Sequence, residues 1–336
     1  MASQSSPVST QRQISQALQE AFICAWHVQG AASVPLAPDT LARQRPARPW
    51  WVHLQRDTTG LHDWMVQQLG MPPAAVHALL QEDTRPRCDV YDQGMLLILR
   101  AVNHDPEAAP EDMLSLRLWV AADGVLSLLR RPVLAVQALD ARFAEGRGPT
   151  SLGALLVNLI AALTERLAVH VETLDTELDA LEEHPSPHRK VMAQVSYMRA
   201  RVVRLKRYIA PQLSALQTLR TRAPECLGEH DKAFLHNAMD ALQRVIETLD
   251  EMRERSSILR EDLAAVINER MNRNMYTFTV LTGLFMPLTF VTGLLGVNLA
   301  GIPLAESDEA FIGLCLLLLA LGVIEWLLLR RLRLLR

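Results

Sequence analysis

The sequence predicts an α+β domain that leads into a long stalk helix and ends in a two-helix transmembrane hairpin. Three observations carry this reading. Between about residues 20 and 150, short apolar or alternating runs are separated by Pro, Gly and Asp turns, the pattern of a mixed sheet-and-helix domain. Between Gly228 and Gly283, neither Gly nor Pro interrupts the chain. Two apolar segments close it, Tyr276–Leu295 and Ala310–Leu329, with a short polar linker between them.

A chain of 336 residues has room for two domains at roughly 150 residues each. A formal net charge of -3 gives no basic footprint for nucleic acid. Cys24, Cys88, Cys226 and Cys315 are scattered with no CxxC pair, so they read as reduced thiols rather than a disulfide framework or zinc knuckle. Residues 1–15 are polar and Ser/Gln-rich, which predicts disorder, and no secretory leader pattern is visible.

Within residues 16–150, strands are predicted at Phe22–Val28, Trp50–Leu54, Met95–Asn103, Leu114–Val120 and Val125–Arg130, the last two joined at Asp123-Gly124. Helices are predicted at Leu61–Leu69 and at Pro72–Leu80, with proline in the first turn of the latter. No Gly-rich phosphate loop, nucleophile motif or other catalytic constellation occurs, so no enzyme activity is expected.

Residues 151–228 predict an antiparallel helical hairpin. Its first helix, Ser151–Glu183, carries leucines at helical spacing on one face and Glu165, Glu172, Asp175, Asp179 and Glu182 on another. Pro185-Ser186-Pro187 ends it. The second, His188–Leu219, holds a basic block at Arg199, Arg201, Arg204, Lys206 and Arg207.

From about Asp231 to Leu295 the chain predicts one helix on the order of 100 Å long at ~1.5 Å per residue. A hydrocarbon core is ~30 Å thick and needs about 20 apolar residues. The helix therefore divides into a stalk, 229–275, and a first span, 276–297. A linker, 298–309, a second span, 310–329, and a basic tail, 330–336, follow. Arg270 and Arg273 flank the first span, Arg330, Arg331, Arg333 and Arg336 follow the second, and the linker carries only Glu306, Asp308 and Glu309. This bias places both ends in the cytoplasm and the acidic linker outside.

One face of the long helix is polar or small: Glu261, Ala265, Asn268, Asn272, Met275, Thr279, Thr282, Met286, Thr289 and Gly293, at heptad spacing. Its flanks are apolar, among them Phe278, Leu281, Phe285 and Phe290. At membrane depth such a stripe faces protein or water rather than lipid. It is either a pore lining or a surface of small residues for close helix packing.

Met286-Pro287-Leu288-Thr289-Phe290, then Gly293 and Gly296-Val297-Asn298, resembles the signature of the CorA family of divalent-cation channels. Val297 within the triplet, Gly301-Ile302-Pro303 after it, and Glu325-Trp326 before the terminal arginines look like the ZntB branch, associated with zinc uptake, more than the magnesium branch. Trp51-Val52-His53-Leu54, Thr84-Arg85-Pro86-Arg87 and Glu145-Gly146-Arg147-Gly148-Pro149-Thr150 resemble the cytoplasmic domain of that branch. Leu295 departs from the family, which places an aromatic before the glycine.

The resemblance implies a homopentamer in the inner membrane that moves divalent cations. Zn²⁺ is the expected cargo, with Mg²⁺, Co²⁺, Ni²⁺ and Cd²⁺ as alternatives, and no cofactor is implied. Gly296, Val297 and Asn298 would form the selectivity loop at the outer mouth. Asn272, Met275, Thr279, Thr282, Met286, Thr289 and Gly293 would line the pore, with Glu261 as an acidic ring in the cytoplasmic funnel. The family also packs the helical hairpin against the stalk with its tip near the basic tail, which Glu182 and Glu183 fit. Asn237 stands where the magnesium branch has a regulatory aspartate.

Glu306, Asp308 and Glu309, repeated around a mouth, would concentrate cations. Glu325, alone in the second span, is a candidate for proton-linked transport, with pairing to the nearby arginines as the alternative. His236 with Asp240, and His184 and His188 beside Glu182 and Glu183, are weak cytoplasmic metal candidates, since two ligands make half a zinc site. A membrane-tethered sensor remains the reading of another class.

Overall fold

The computed structural model describes residues 16–82, 84–184, 188–296 and 309–331. The expected disorder over 1–15, the Pro185-Ser186-Pro187 stop, Val297, Asn298, Glu306, Asp308 and the tail from 332 lie outside them. The chain forms two compact units. One is made of Met1–Pro185 with Ala193–Leu259, the other of Ser186–Met192 with Arg260–Arg336.

The first unit is built on a sheet of strands β1 (Phe22–His27), β2 (Val34–Pro35), β3 (Trp50–Gln55), β4 (Arg87–Tyr91), β5 (Gly94–Ala101), β6 (Leu114–Val120) and β7 (Gly124–Leu129). Their order is β2-β1-β3-β7-β6-β5-β4. Among the described strands only β3 and β7 pair in parallel; the other neighbours are antiparallel. All six residues of β7 are buried, because both faces of the sheet are covered, and its sequence is correspondingly apolar.

Strand alternation assigns β3 side chains to opposite faces. Trp50, Val52 and Leu54 enter the core with Leu61, Trp64 and Met65 of α2 (Leu61–Gln67) and with Val76 and Leu79 of α3 (Pro73–Leu80). Trp51 faces the other way, its ring 5.5 Å from Phe143 of α4 (Leu134–Ala144). Gly124 opens β7 opposite Trp50, and a Cβ there would lie 2.0 Å from the indole. Close approach of a ring, rather than turn geometry, is what requires glycine at this position.

The structure adds elements that the pattern did not predict: β2, β4, α4 and the single turn α1 (Pro38–Leu41). Strand β4 is a half-exposed edge strand with charges inside it, so it lacks the apolar run that marks a central strand. Helix α4 begins after Val133 with no side-chain cap, so it has no start signal.

Helix α5 (Leu152–Glu183) starts at Ser151, whose Oγ accepts from the Ala154 N–H at 3.0 Å, a standard N-cap. It packs on β5 and β7. A Cβ at Gly153 would meet Asp231 Oδ2 at 2.2 Å and the Cys226 carbonyl at 2.4 Å, so glycine is what lets the start of the long helix that begins at Glu229 lie against α5. Helix α6 (Arg189–Arg222) follows, and its Arg201 donates to Glu177 of α5 at 2.6 Å and to the buried Glu111 at 2.5 Å. Helix α7 runs Glu229–Leu295, 67 residues with Pro287 inside. In its first part Leu235, Leu242, Leu249, Met252 and Leu259 are buried, at steps of seven, seven, three and seven that keep them on one edge of the helix within the first unit.

The second unit holds the remainder of α7 and α8 (Ala310–Arg331). Three described helices are long and apolar enough to cross a membrane. In α5, 56% of the apolar stretch is buried within the protein, whereas in α7 and α8 the share is 0%. A core helix and two candidate spans are thereby distinguished.

Candidate functional site

The polar stripe of α7 is on the surface of the chain. Asn272, Thr279, Thr282, Thr289 and Gly293 are exposed, and Met275 and Met286 are 60% and 70% exposed. Half-buried residues on the same stretch are Val280, Leu284, Pro287, Leu288 and Val291. At ~100° per residue these fall on roughly the opposite side of the helix from the stripe. Helix α8 repeats the pattern, with Leu314, Leu318, Leu321, Glu325 and Leu329 half-buried along one face. The stripe is thus the side that the chain's own side chains leave uncovered.

The threonine hydroxyls are oriented by their backbone. Thr279 Oγ1 donates to the Met275 carbonyl at 2.9 Å and Thr289 Oγ1 to the Phe285 carbonyl at 2.7 Å. With the proton committed to the preceding turn, each oxygen has its lone pairs left for an outside donor or cation. Pro287 has no N–H, so the Gly283 carbonyl lacks its usual helical donor. A Cβ at Gly283 or Gly293 would meet nothing within 4 Å, so neither glycine is demanded by packing within one chain.

Glu261 is exposed on α7 in the second unit. Of the loop, only Gly296 is described, its N–H donating to the Thr292 carbonyl at 2.9 Å. Glu309 is exposed, and its carbonyl accepts from the Gly313 N–H at 3.1 Å at the start of α8. Glu325 Oε2 is buried with no hydrogen-bond partner among the described residues. The Arg330 guanidinium lies over the Trp326 ring, 5.4 Å from its centre.

His236 Nδ1 lies 3.6 Å from Asp240 Oδ1 and 3.2 Å from the Arg220 guanidinium, with both His236 and Asp240 about half exposed. His184 and His188 are exposed, and the Lys190 N–H donates to His188 Nδ1 at 3.3 Å. Among the described residues no three His, Cys, Asp or Glu side chains converge as metal ligands. Glu182 is engaged elsewhere: with Asp175 and Asp179 it holds Arg255 of α7. Arg255 had no signal in the sequence, since its partners lie 73 to 80 residues away. The i, i+4, i+7 spacing of the three carboxylates was visible and marks a shared helix face.

The family model of CorA-like Mg2+ transporter protein matches residues 47–331. A divalent cation transporter, CmaX, of Pseudomonas aeruginosa is 36% identical over 292 residues, covering 86% of this chain and 88% of that one. A zinc transport protein, ZntB, of Pectobacterium atrosepticum is 31% identical over 287 residues, 83% of this chain and 86% of that one. Among solved structures, full-length CmaX superposes with a TM-score of 0.79 at 34% identity, covering 93% of this chain and 98% of that one.

Proposed function

The chain belongs to the CorA-like Mg2+ transporter protein family, and from that premise we propose that it carries divalent metal cations across the inner membrane, with zinc as the cargo. The observation that carries this reading is the exposed stripe from Asn272 to Gly293, opposite the half-buried face of the same helix. Several copies, five by the family's precedent, turn their stripes toward a common axis. Hydroxyl and carbonyl oxygens then face the water path, and Met275 and Met286 narrow it. Thioethers bind Zn²⁺ poorly beside His or Cys, so the methionines act as constrictions rather than ligands.

At the outer end Asn298, within Gly296-Val297-Asn298, offers a ring of neutral amide oxygens. Such a ring holds a hydrated ion through its waters weakly enough to release it. Glu306, Asp308 and Glu309 raise cation concentration at this mouth, over a range that salt limits to ~10 Å. Glu261 performs the same service at the cytoplasmic end. Glu325 is the candidate for the proton-linked step, supported by its unpartnered oxygen in an apolar helix.

Zinc is supported by Val297 and by the ZntB relatives. Magnesium or cobalt is the second reading, of which the description of the family names magnesium. The test is metal entry into liposomes that carry the protein and a trapped metal-sensitive dye, with and without a pH gradient. Zinc entry exceeding that of magnesium is expected, and Asn298→Ala lowers it about tenfold, equivalent to roughly 1.4 kcal/mol. A membrane-tethered sensor gives no entry at all, which would refute the proposal.

A further inference from the structure

A cleft of about 740 Å³ in the first unit is lined by Arg56, Arg100, Arg117, Arg130, Arg131 and Ser115. The topology gathers these residues. Arg56 follows the end of β3, and Arg130-Arg131 follow the end of the parallel strand β7. The carboxyl ends of parallel strands are where open sheets place ligands. Arg100 and Ser115 pair across β5 and β6, and Arg117 sits two residues further along β6.

The charge is concentrated at the floor. Arg117 is 1% exposed and Arg56 is 8% exposed. The Arg117 guanidinium donates to the Leu79 carbonyl, to the Glu82 carbonyl at 3.1 Å and to Ser115 Oγ at 3.3 Å, all neutral acceptors. Arg100 donates to the carbonyls of Met113, at 3.0 Å, and Thr84. The Thr84-Arg85-Pro86-Arg87 segment thus supplies part of the frame. Among the described residues Arg56 pairs with the carboxylate of Asp57 at 2.7 Å, which Arg130 shares at 2.9 Å. Burial, then the charges of Arg56 and Arg100, lower the Arg117 pKa to about 10, so the group stays cationic at neutral pH.

Among the described residues the Arg117 guanidinium donates to neutral oxygens, with Asp57 as the nearby opposing charge; burying a cation in such a setting is costly, and an anion beside it relieves the cost. The acidic residues of the cleft lie toward its mouth. Asp105 is 3.3 Å from Arg131 and Asp112 is 3.5 Å from Arg204, while Glu82 and Glu107 are exposed. A mixed rim over a cationic floor rejects an extended polyanion such as nucleic acid and admits a compact one. The volume falls in the range of small-ligand sites, about 300–1,000 Å³, and planar guanidiniums match phosphoryl oxygens two at a time.

We propose that this cleft binds a small phosphate-bearing polyanion, with its phosphoryl oxygens between Arg117 and Arg56 on the floor and Arg130 and Arg131 at the rim. The ligand is either an inorganic di- or polyphosphate or the phosphate tail of a nucleotide.

Titration calorimetry of the full chain in detergent micelles, in EDTA, tests it with inorganic phosphate, pyrophosphate and ATP as probes. Pyrophosphate is expected to bind saturably with a Kd under about 1 mM. Arg130→Gln and Arg131→Gln, at rim positions whose side chains are 68% and 57% exposed, are each expected to weaken it about tenfold, the loss of one charge-assisted contact. Arg222→Gln, away from the cleft, leaves it unchanged. ATP binding as tightly as pyrophosphate assigns the site to nucleotides; pyrophosphate binding without ATP assigns it to inorganic phosphates. No saturable heat from any probe up to about 10 mM, or an unchanged Kd in both rim variants, overturns the proposal.

Discussion

His53 shows how one side chain couples the sheet to pH. It is 2% exposed on β3, and its Nδ1 lies 2.9 Å from Ser127 Oγ on the neighbouring strand. Ser127 Oγ also accepts from the Trp51 indole at 2.9 Å. Burial lowers the imidazole pKa to about 4 from the ordinary 6.5, against a smaller raising effect of Ser127. Between pH 6.5 and 4 the unfolded chain binds a proton at this histidine that the folded chain does not, so stability is fully present above 6.5 and falls as pH drops toward 4. At 1.36 kcal/mol per unit, this gap of 2.5 units amounts to about 3 kcal/mol. Thermal unfolding of wild type and His53→Gln between pH 7 and pH 4 checks this. The variant should lose less stability over that range, and parallel curves would contradict the assignment.

At the scale of elements, the junction of α5 with α7 depends on Arg255. Its guanidinium, 25% exposed, takes Asp175 at 2.9 Å together with Asp179 and Glu182, and these partners hold its pKa above the usual arginine value. Exposed single pairs contribute about 0–1 kcal/mol. A partly buried arginine with three carboxylates is a network, for which about 1–3 kcal/mol is expected. Arg255→Ala should lower the thermal midpoint, and Arg255→Lys should recover only part, because an ammonium lacks the fork that reaches several carboxylates. Equal midpoints for the alanine variant and wild type would show that the cluster is merely solvated charge.

The same junction marks the limit of what could be read from sequence. Each helix was visible by its own periodicity: α5 by its leucines and Ser151 cap, α7 by the absence of Gly and Pro over 229–282. Strands β3, β5, β6 and β7 were visible because buried strands are apolar runs bounded by turn residues. Edge strand β4, with Arg87 and Asp89 inside it, resembles a loop at that level. Contacts across long separations, Arg255 with α5 or Arg117 with the Leu79 carbonyl, have no local signature at all. The stripe of α7 was legible because spacing along one helix is local. Its exposure opposite the half-buried face depends on how the chain folds, and was not.

For the molecule as a whole, the exposed apolar residues of α7 and α8 require a non-aqueous surrounding. Phe278, Phe285, Phe290, Phe311, Leu316 and Leu319 are each at least half exposed, which one soluble chain does not sustain. A membrane satisfies them. The threonine stripe is then the part that lipid does not satisfy, and partner copies or water must cover it.

In the proposed channel this stripe faces a water-filled path. In a background with the native cysteines replaced, Thr289→Cys and Phe290→Cys are treated in liposomes with a charged, membrane-impermeant thiol reagent while zinc entry is recorded. Reaction at position 289 that blocks entry, with position 290 unreactive, is the predicted result. Reaction at 290 with 289 protected, or modification of 289 that leaves zinc entry unchanged, would show that the stripe does not line the path.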